Sequence, residues 1–204
     1  MNLSFKASII TLAAFGVAGC EPAPEPFAFD TTYTDYATMS AALAPTVTEL
    51  TDEDGDLDVA VEISDIDSFN AAPTGTVTYN GAVIIPEEGG GTMIGQLQLD
   101  VAFGTNSMDG TAGNFIHSVD GAYAGLLLGN ATIDRQLTNP PDHFGMELTG
   151  SLSNGGNAYA ATLDLAGNFL DDGMNPLFAV AGDAGLDLGA GGPEYGEGAF
   201  AAVQ

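Results

Sequence analysis

The chain has 204 residues, 28 of them acidic against two basic, for a formal net charge of −26, and 45% of it is apolar while only 15% is charged. Its length fits one domain, or one domain with an extension, and the apolar content excludes wholesale disorder because there is enough apolar surface to offset chain entropy. With almost no Lys or Arg to neutralise phosphates, the composition also excludes nucleic-acid binding and electrostatic docking on anionic lipid headgroups.

Residues 1–6 carry one positive charge, Lys6, and residues 7–17 form an apolar run. That run is too short to span a bilayer and suits the h-region of a signal peptide. The segment Val17-Ala18-Gly19-Cys20 that follows resembles the bacterial lipobox, and it holds the chain's single cysteine. The lipobox resemblance implies that residues 1–19 are removed and that Cys20 becomes a lipidated first residue. Each buried CH₂ contributes about 0.8 kcal/mol, so two or three acyl chains would hold the protein on a membrane. Glu21, rather than an aspartate, follows the cysteine, and on the same resemblance this implies the outer membrane, on its periplasmic face or at the cell surface. Residues 20–30, with Glu21-Pro22-Ala23-Pro24-Glu25-Pro26, then form a Pro-rich, semi-rigid spacer. Without a second cysteine no internal disulfide can form, and Arg135 would be the sole Lys or Arg after cleavage.

Residues 31–72 are expected to form a small extension. Asp35 is a plausible N-cap for a helix over residues 35–43, which Pro45 would stop. Leu57, Val59, Val61 and Ile63 then alternate with Asp58, Ala60, Glu62 and Ser64, the period of a half-buried strand, and residues 46–50 could pair with it across an acidic turn. That turn places Asp52, Asp54, Asp56 and Asp58 at alternate positions, as calcium loops do. It departs from an EF-hand: Leu57 stands where the invariant glycine belongs, and Ile63 replaces the bidentate Glu. The bland reading is an acidic hairpin turn, and calcium is the sole cofactor the sequence suggests.

From Pro73 onward the chain repeats one pattern, an apolar run bounded by Gly, Asn or Pro. Eight such runs are expected, at residues 74–85, 94–103, 108–118, 123–133, 144–153, 158–169, 177–188 and 198–203. In the second, Leu97, Leu99, Val101 and Phe103 face one way and Gln96, Gln98, Asp100 and Ala102 the other. Closing the sheet removes both exposed edges, which favours a barrel over a sandwich. Glycines inside the runs fit bends or close packing in a small barrel. The fold class is therefore all-β, an eight-stranded antiparallel up-and-down barrel over residues 73–204 with a small N-terminal α/β extension, its interior filled by side chains. The competing architecture is a transmembrane barrel with Asp100, Glu147 and Asp164 facing a lumen, although no aromatic girdle is evident and the chain has no Trp.

Pro73-Thr74-Gly75-Thr76-Val77-Thr78-Tyr79-Asn80-Gly81 resembles the opening barrel strand of transferrin-binding protein B-like surface lipoproteins. Val101-Ala102-Phe103-Gly104-Thr105 with Gly110-Thr111 resembles the hairpin between their second and third strands. Gly167-Asn168-Phe169 and Gly198-Ala199-Phe200-Ala201-Ala202 are similar, more loosely, to their closing strands. The resemblance implies an eight-stranded barrel beside a handle-like region, lipid anchorage, frequent display at the cell surface, and capture of a protein partner. It transfers no ligand-contacting residue.

The remaining chemistry is sparse. His117 and His143 lack spaced partners of a zinc motif and read as strand or loop side chains. Arg135, alone among so many acids, is expected to pair with a carboxylate. No Gly-x-Ser-x-Gly elbow or P-loop occurs, so the chain does not read as an enzyme. The function expected from sequence is a lipid-anchored envelope protein whose barrel binds a protein or solute, the alternative being a structural or stress-related envelope lipoprotein with no specific ligand.

Overall fold

In the computed structural model, residues 29–52, 56–58, 61–72, 75–137 and 142–204 are described. Eight long strands dominate: β2 (Thr76–Pro86), β3 (Thr92–Ala102), β4 (Ser107–His117), β5 (Gly121–Thr132), β6 (Phe144–Asn154), β7 (Asn157–Asp171), β8 (Ala179–Asp187) and β9 (Gly198–Val203). They follow the expected runs to within two residues at each end. Each strand pairs antiparallel with the next, and β9 bonds to both β8 and β2, so the sheet closes into an up-and-down barrel without free edges among these strands.

Period-two alternation decides what lies inside. Leu97, Leu99, Val101 and Phe103 are all buried, together with Tyr79, Leu127, Leu148, Leu163, Val180 and Phe200, in one cluster that fills the barrel. Asp100, Glu147 and Asp164 are out of phase with that set and lie on the outer wall, which corrects the reading that would aim them into a lumen. The wall is thus polar outside and apolar inside, the reverse of an aqueous transmembrane pore. A barrel this narrow brings neighbouring strands close wherever they bend. At Gly81 an added Cβ would fall on the carbonyl of Ala201, and at Gly129 on that of Glu147.

The ends are closed as well. At the lower rim, where β3–β4, β5–β6 and β7–β8 connect, the short helix α2 (Ile66–Asn70) inserts Phe69 among Phe103, Phe169 and His143, with ring centroids 6.1, 5.3 and 4.7 Å away. Asp65 caps that helix by accepting from the Ser68 N–H at 2.9 Å.

Outside the barrel lies α1 (Tyr36–Leu50). Asp35 caps it, accepting from the Thr38 N–H at 2.9 Å as its sequence position suggests. The helix does not stop before Pro45 but runs through it, and residues 46–50, expected as a strand, are its last turn. The reason is a tertiary surface: Val47 and Leu50 pack on the alanine-rich outer wall made by Ala82, Ala179, Ala181, Ala199 and Ala201. The expected hairpin shrinks accordingly to a bridge between Thr51 and Leu57 and to the two-residue β1 (Glu62–Ile63), which pairs with Asp171 and Leu170 of β7. Ile63, expected on a buried face, is exposed, and Val59 and Ala60 lie outside the described residues.

Candidate binding surfaces

Buried apolar side chains fill the interior, and side chains at each rim account for the histidine and arginine chemistry that the sequence singled out. At the lower rim His143 is fully buried beneath Phe69. Its Nδ1 accepts from the Phe169 N–H at 3.2 Å, and its backbone N–H donates to Asn168 Oδ1 at 3.1 Å. Burial pushes its pKa down to about 4, against the opposing charge of Asp134 and the hydrogen bond with Asn168. Arg135 sits beside it. Its expected carboxylate is replaced, among the described residues, by backbone: the guanidinium donates to the carbonyls of Phe69 and Phe103 and stands 5.7 Å from the Phe69 ring centroid. The only arginine therefore fastens the plug to the barrel, donating to the Phe103 carbonyl of the β3–β4 turn and adding a second donor to the Phe69 carbonyl, which also accepts from the Ala72 N–H.

At the upper rim, where the β2–β3, β4–β5 and β6–β7 turns lie, His117 ends β4 and is also buried. Its Nδ1 accepts from the Asp120 N–H at 3.1 Å, and its Nε2 lies 3.3 Å from Glu87 Oε2. The Tyr195 ring meets the imidazole edge-on, and burial raises the phenol's pKa, with Tyr123 and Glu87 adding to the effect. Both histidines are thus buried at the rims, His117 at the end of β4 and His143 in the loop before β6.

The open ground is the outer wall. A groove of about 610 Å³ runs over β6, β7 and β8 and is floored by Gly145, Ala166 and Gly185, whose small side chains leave the space. Its rim carries Asp56, Glu147, Asp164, Asp183 and Glu197. An adjoining hollow of about 480 Å³ adds Asp52 and Asp142. Burial raises the pKa of Asp183, and the charges of Asp56, Asp142, Glu197 and Asp52 raise it further. Of the calcium candidates, Asp52 and Asp56 reach this wall, the Asp52 N–H donating to the Asp56 carbonyl at 2.8 Å. Asp58 lies where its N–H donates to the Leu50 carbonyl at 3.0 Å, and Asp54 is outside the described residues, as is Cys20. Among the described residues no group of three or more His, Cys, Asp or Glu side chains is placed to hold a metal ion.

Sequence reading missed Asp183 and Glu197 as members of this wall. The signal for Asp183 was present: it is out of phase with Val180, Ala184 and Leu186, the buried side of β8. What joined it to residues far along the chain was barrel closure. No protein-family model matches the chain, and no curated protein matches it significantly.

Proposed function

We propose that the chain is a lipid-anchored protein of the bacterial envelope, tethered at Cys20 to the outer membrane, and that its barrel is a non-enzymatic binding module that works through its outer wall. The observation that carries the reading is the combination of a barrel filled by its own side chains with a carboxylate-rimmed groove outside it. With the interior occupied by side chains, contact falls on the exterior, and five carboxylates around one groove select for a cationic protein segment or solute. The resemblance to transferrin-binding protein B-like lipoproteins supports a binding role through architecture. Its matching residues Tyr79, Gly81, Phe103, Phe169 and Phe200 are inward scaffold positions, so the partner need not be shared.

A lysine-rich peptide titrated into the full chain tests this. Binding that weakens about tenfold or more when Asp164 and Asp183 are both replaced by Asn, and less when Asp100 and Asp109 on a distant part of the wall are both replaced by Asn, supports the groove. Equal losses from both changes would reduce the effect to general charge and favour the second reading, an envelope lipoprotein with no specific ligand.

A further inference from the structure

The outer wall is not uniformly acidic, although the chain carries 28 acids. Across β3 to β7 the outward residues toward the upper rim are uncharged. Thr111, Leu128 and Thr149 form one cross-strand row, and Leu126 and Ser151 stand in the next. Toward the lower rim charge returns, with Asp100 opposite Asp109 and Glu147 opposite Asp164. On the β3 side Asp30 is held on Gln96 and Met39 packs on Ile94 and Ile116, so with strands about 4.8 Å apart the open, charge-free field from β4 to β7 is roughly 15 Å wide. At its centre are Leu126 and Leu128, 51% and 56% exposed, which no part of the described chain covers further.

The approach to the candidate lipid anchor lies on the same field. A Cβ built on Gly113 would meet the Phe29 ring on one side and Leu126 on the other. Asp30 is fixed to the wall there, its N–H donating to Gln96 Oε1 at 2.9 Å and its carbonyl accepting from Gln96 Nε2 and Asn114 Nδ2 at 2.9 and 3.0 Å. Cys20 is nine residues from Phe29, a distance that an extended chain spans in at most about 30 Å.

We propose that this uncharged face, centred on Leu126 and Leu128, is the surface by which the anchored barrel lies against the phospholipid bilayer. The inference rests on the lipid-anchor reading and adds an orientation to it. An anionic leaflet repels carboxylates, and dehydrating them at the interface is costly. The barrel can therefore approach closely only with a face whose strands carry none, and the chain leaves for its anchor at the edge of that face, where the Asp30 carboxylate stands over β3 and β4. Two exposed leucines among hydroxyls and alanines provide apolar contact at headgroup depth. This orientation keeps the lower, acidic part of β6 to β8 in water, where a cationic partner can reach it.

The test uses the full, acylated chain in vesicles of phosphatidylethanolamine and phosphatidylglycerol that contain nitroxide-labelled lipid. Acylation occupies Cys20, so a polarity-sensitive fluorophore can be attached singly through Leu126→Cys or, on the acidic wall, Asp164→Cys. The proposal predicts that emission at position 126 shifts to the blue and is quenched by the nitroxide, while emission at position 164 does neither. Protein that floats with the vesicles while position 126 behaves as in water overturns the orientation but leaves the anchor standing. Protein that does not float removes the anchor, and the orientation with it. A blue shift at position 126 in the unacylated Cys20→Ala form that grows with protein concentration would assign the face to a second copy of the chain and overturn the bilayer.

Discussion

His143 shows how much of this molecule's behaviour is set by single buried groups. Its folded pKa of about 4 lies below the ordinary value of 6.5. Between these values the unfolded chain takes up a proton that the folded chain refuses, so stability is full above the upper value and falls as pH drops toward the lower one. The loss amounts to about 3 kcal/mol once both values are passed. Replacing His143 with Phe keeps the ring beneath Phe69 and removes the titration. The stability difference between the native protein and His143→Phe, measured by urea melts between about pH 7 and about pH 4, should change by about that amount in favour of the variant. A pH-independent difference would mean that the imidazole is not buried neutral. Sequence inspection correctly placed both histidines as strand or loop side chains. It could not show burial, because residues from α2 and β7 create the pocket around His143.

At the scale of elements, the strands were legible and the extension was not. Most barrel strands alternate in burial, β9 is a short apolar run buried almost throughout, and all are bounded by turn residues, so local pattern was sufficient to find all eight runs. In α1 two local signals conflicted. Met39, Leu43, Val47 and Leu50 recur at helical spacing and lie on the side packed against the barrel. Pro45 argued for an earlier stop, and the apolar side prevailed because the barrel wall beneath it is rich in alanine. Pro45 is exposed inside the helix and costs it a hydrogen bond to residue 41. Pro45→Ala should therefore raise stability by about 2 kcal/mol, roughly 3 from helix propensity less up to about 1 for the freer unfolded chain. A urea melt measures it, and a destabilised variant would show that the proline fits the helix to the wall's curvature. The pairing of residues 46–50 with the strand after the acidic turn was misread for the same reason as the helix end: those residues belong to α1, and the turn is closed by the Thr51–Leu57 bridge instead.

For the whole molecule the dominant quantity is charge. Among the described residues four cross-strand positions place acidic residues directly opposite one another, Asp100 with Asp109, Glu147 with Asp164, Glu62 with Asp171 and Asp187 with Glu194, and such like-charge pairs destabilise a sheet. Part of the repulsion is relieved locally, since Thr78 and Gln98 donate to the Asp100 carboxylate. Folding still brings most of the 28 acids closer than in the expanded chain. Raising salt from physiological strength to 1 M shortens the Debye length from about 8 Å to about 3 Å. The melting temperature should therefore rise with sodium chloride. Calcium held by Asp52 and Asp56 would add a stabilisation that saturates at low concentration and that sodium chloride of equal ionic strength does not reproduce.

The placement of the molecule, and with it the meaning of both its faces, depends on Cys20. A filled, lipid-tethered barrel that binds through its outer wall predicts that the native chain floats with membranes and that Cys20→Ala, made in the same cells, is recovered as a folded soluble protein. The deciding measurement is the partition of these two proteins in a flotation gradient. Quantitative release of the variant is the predicted result, and a Cys20→Ala protein that still floats entirely with the membrane would contradict the account.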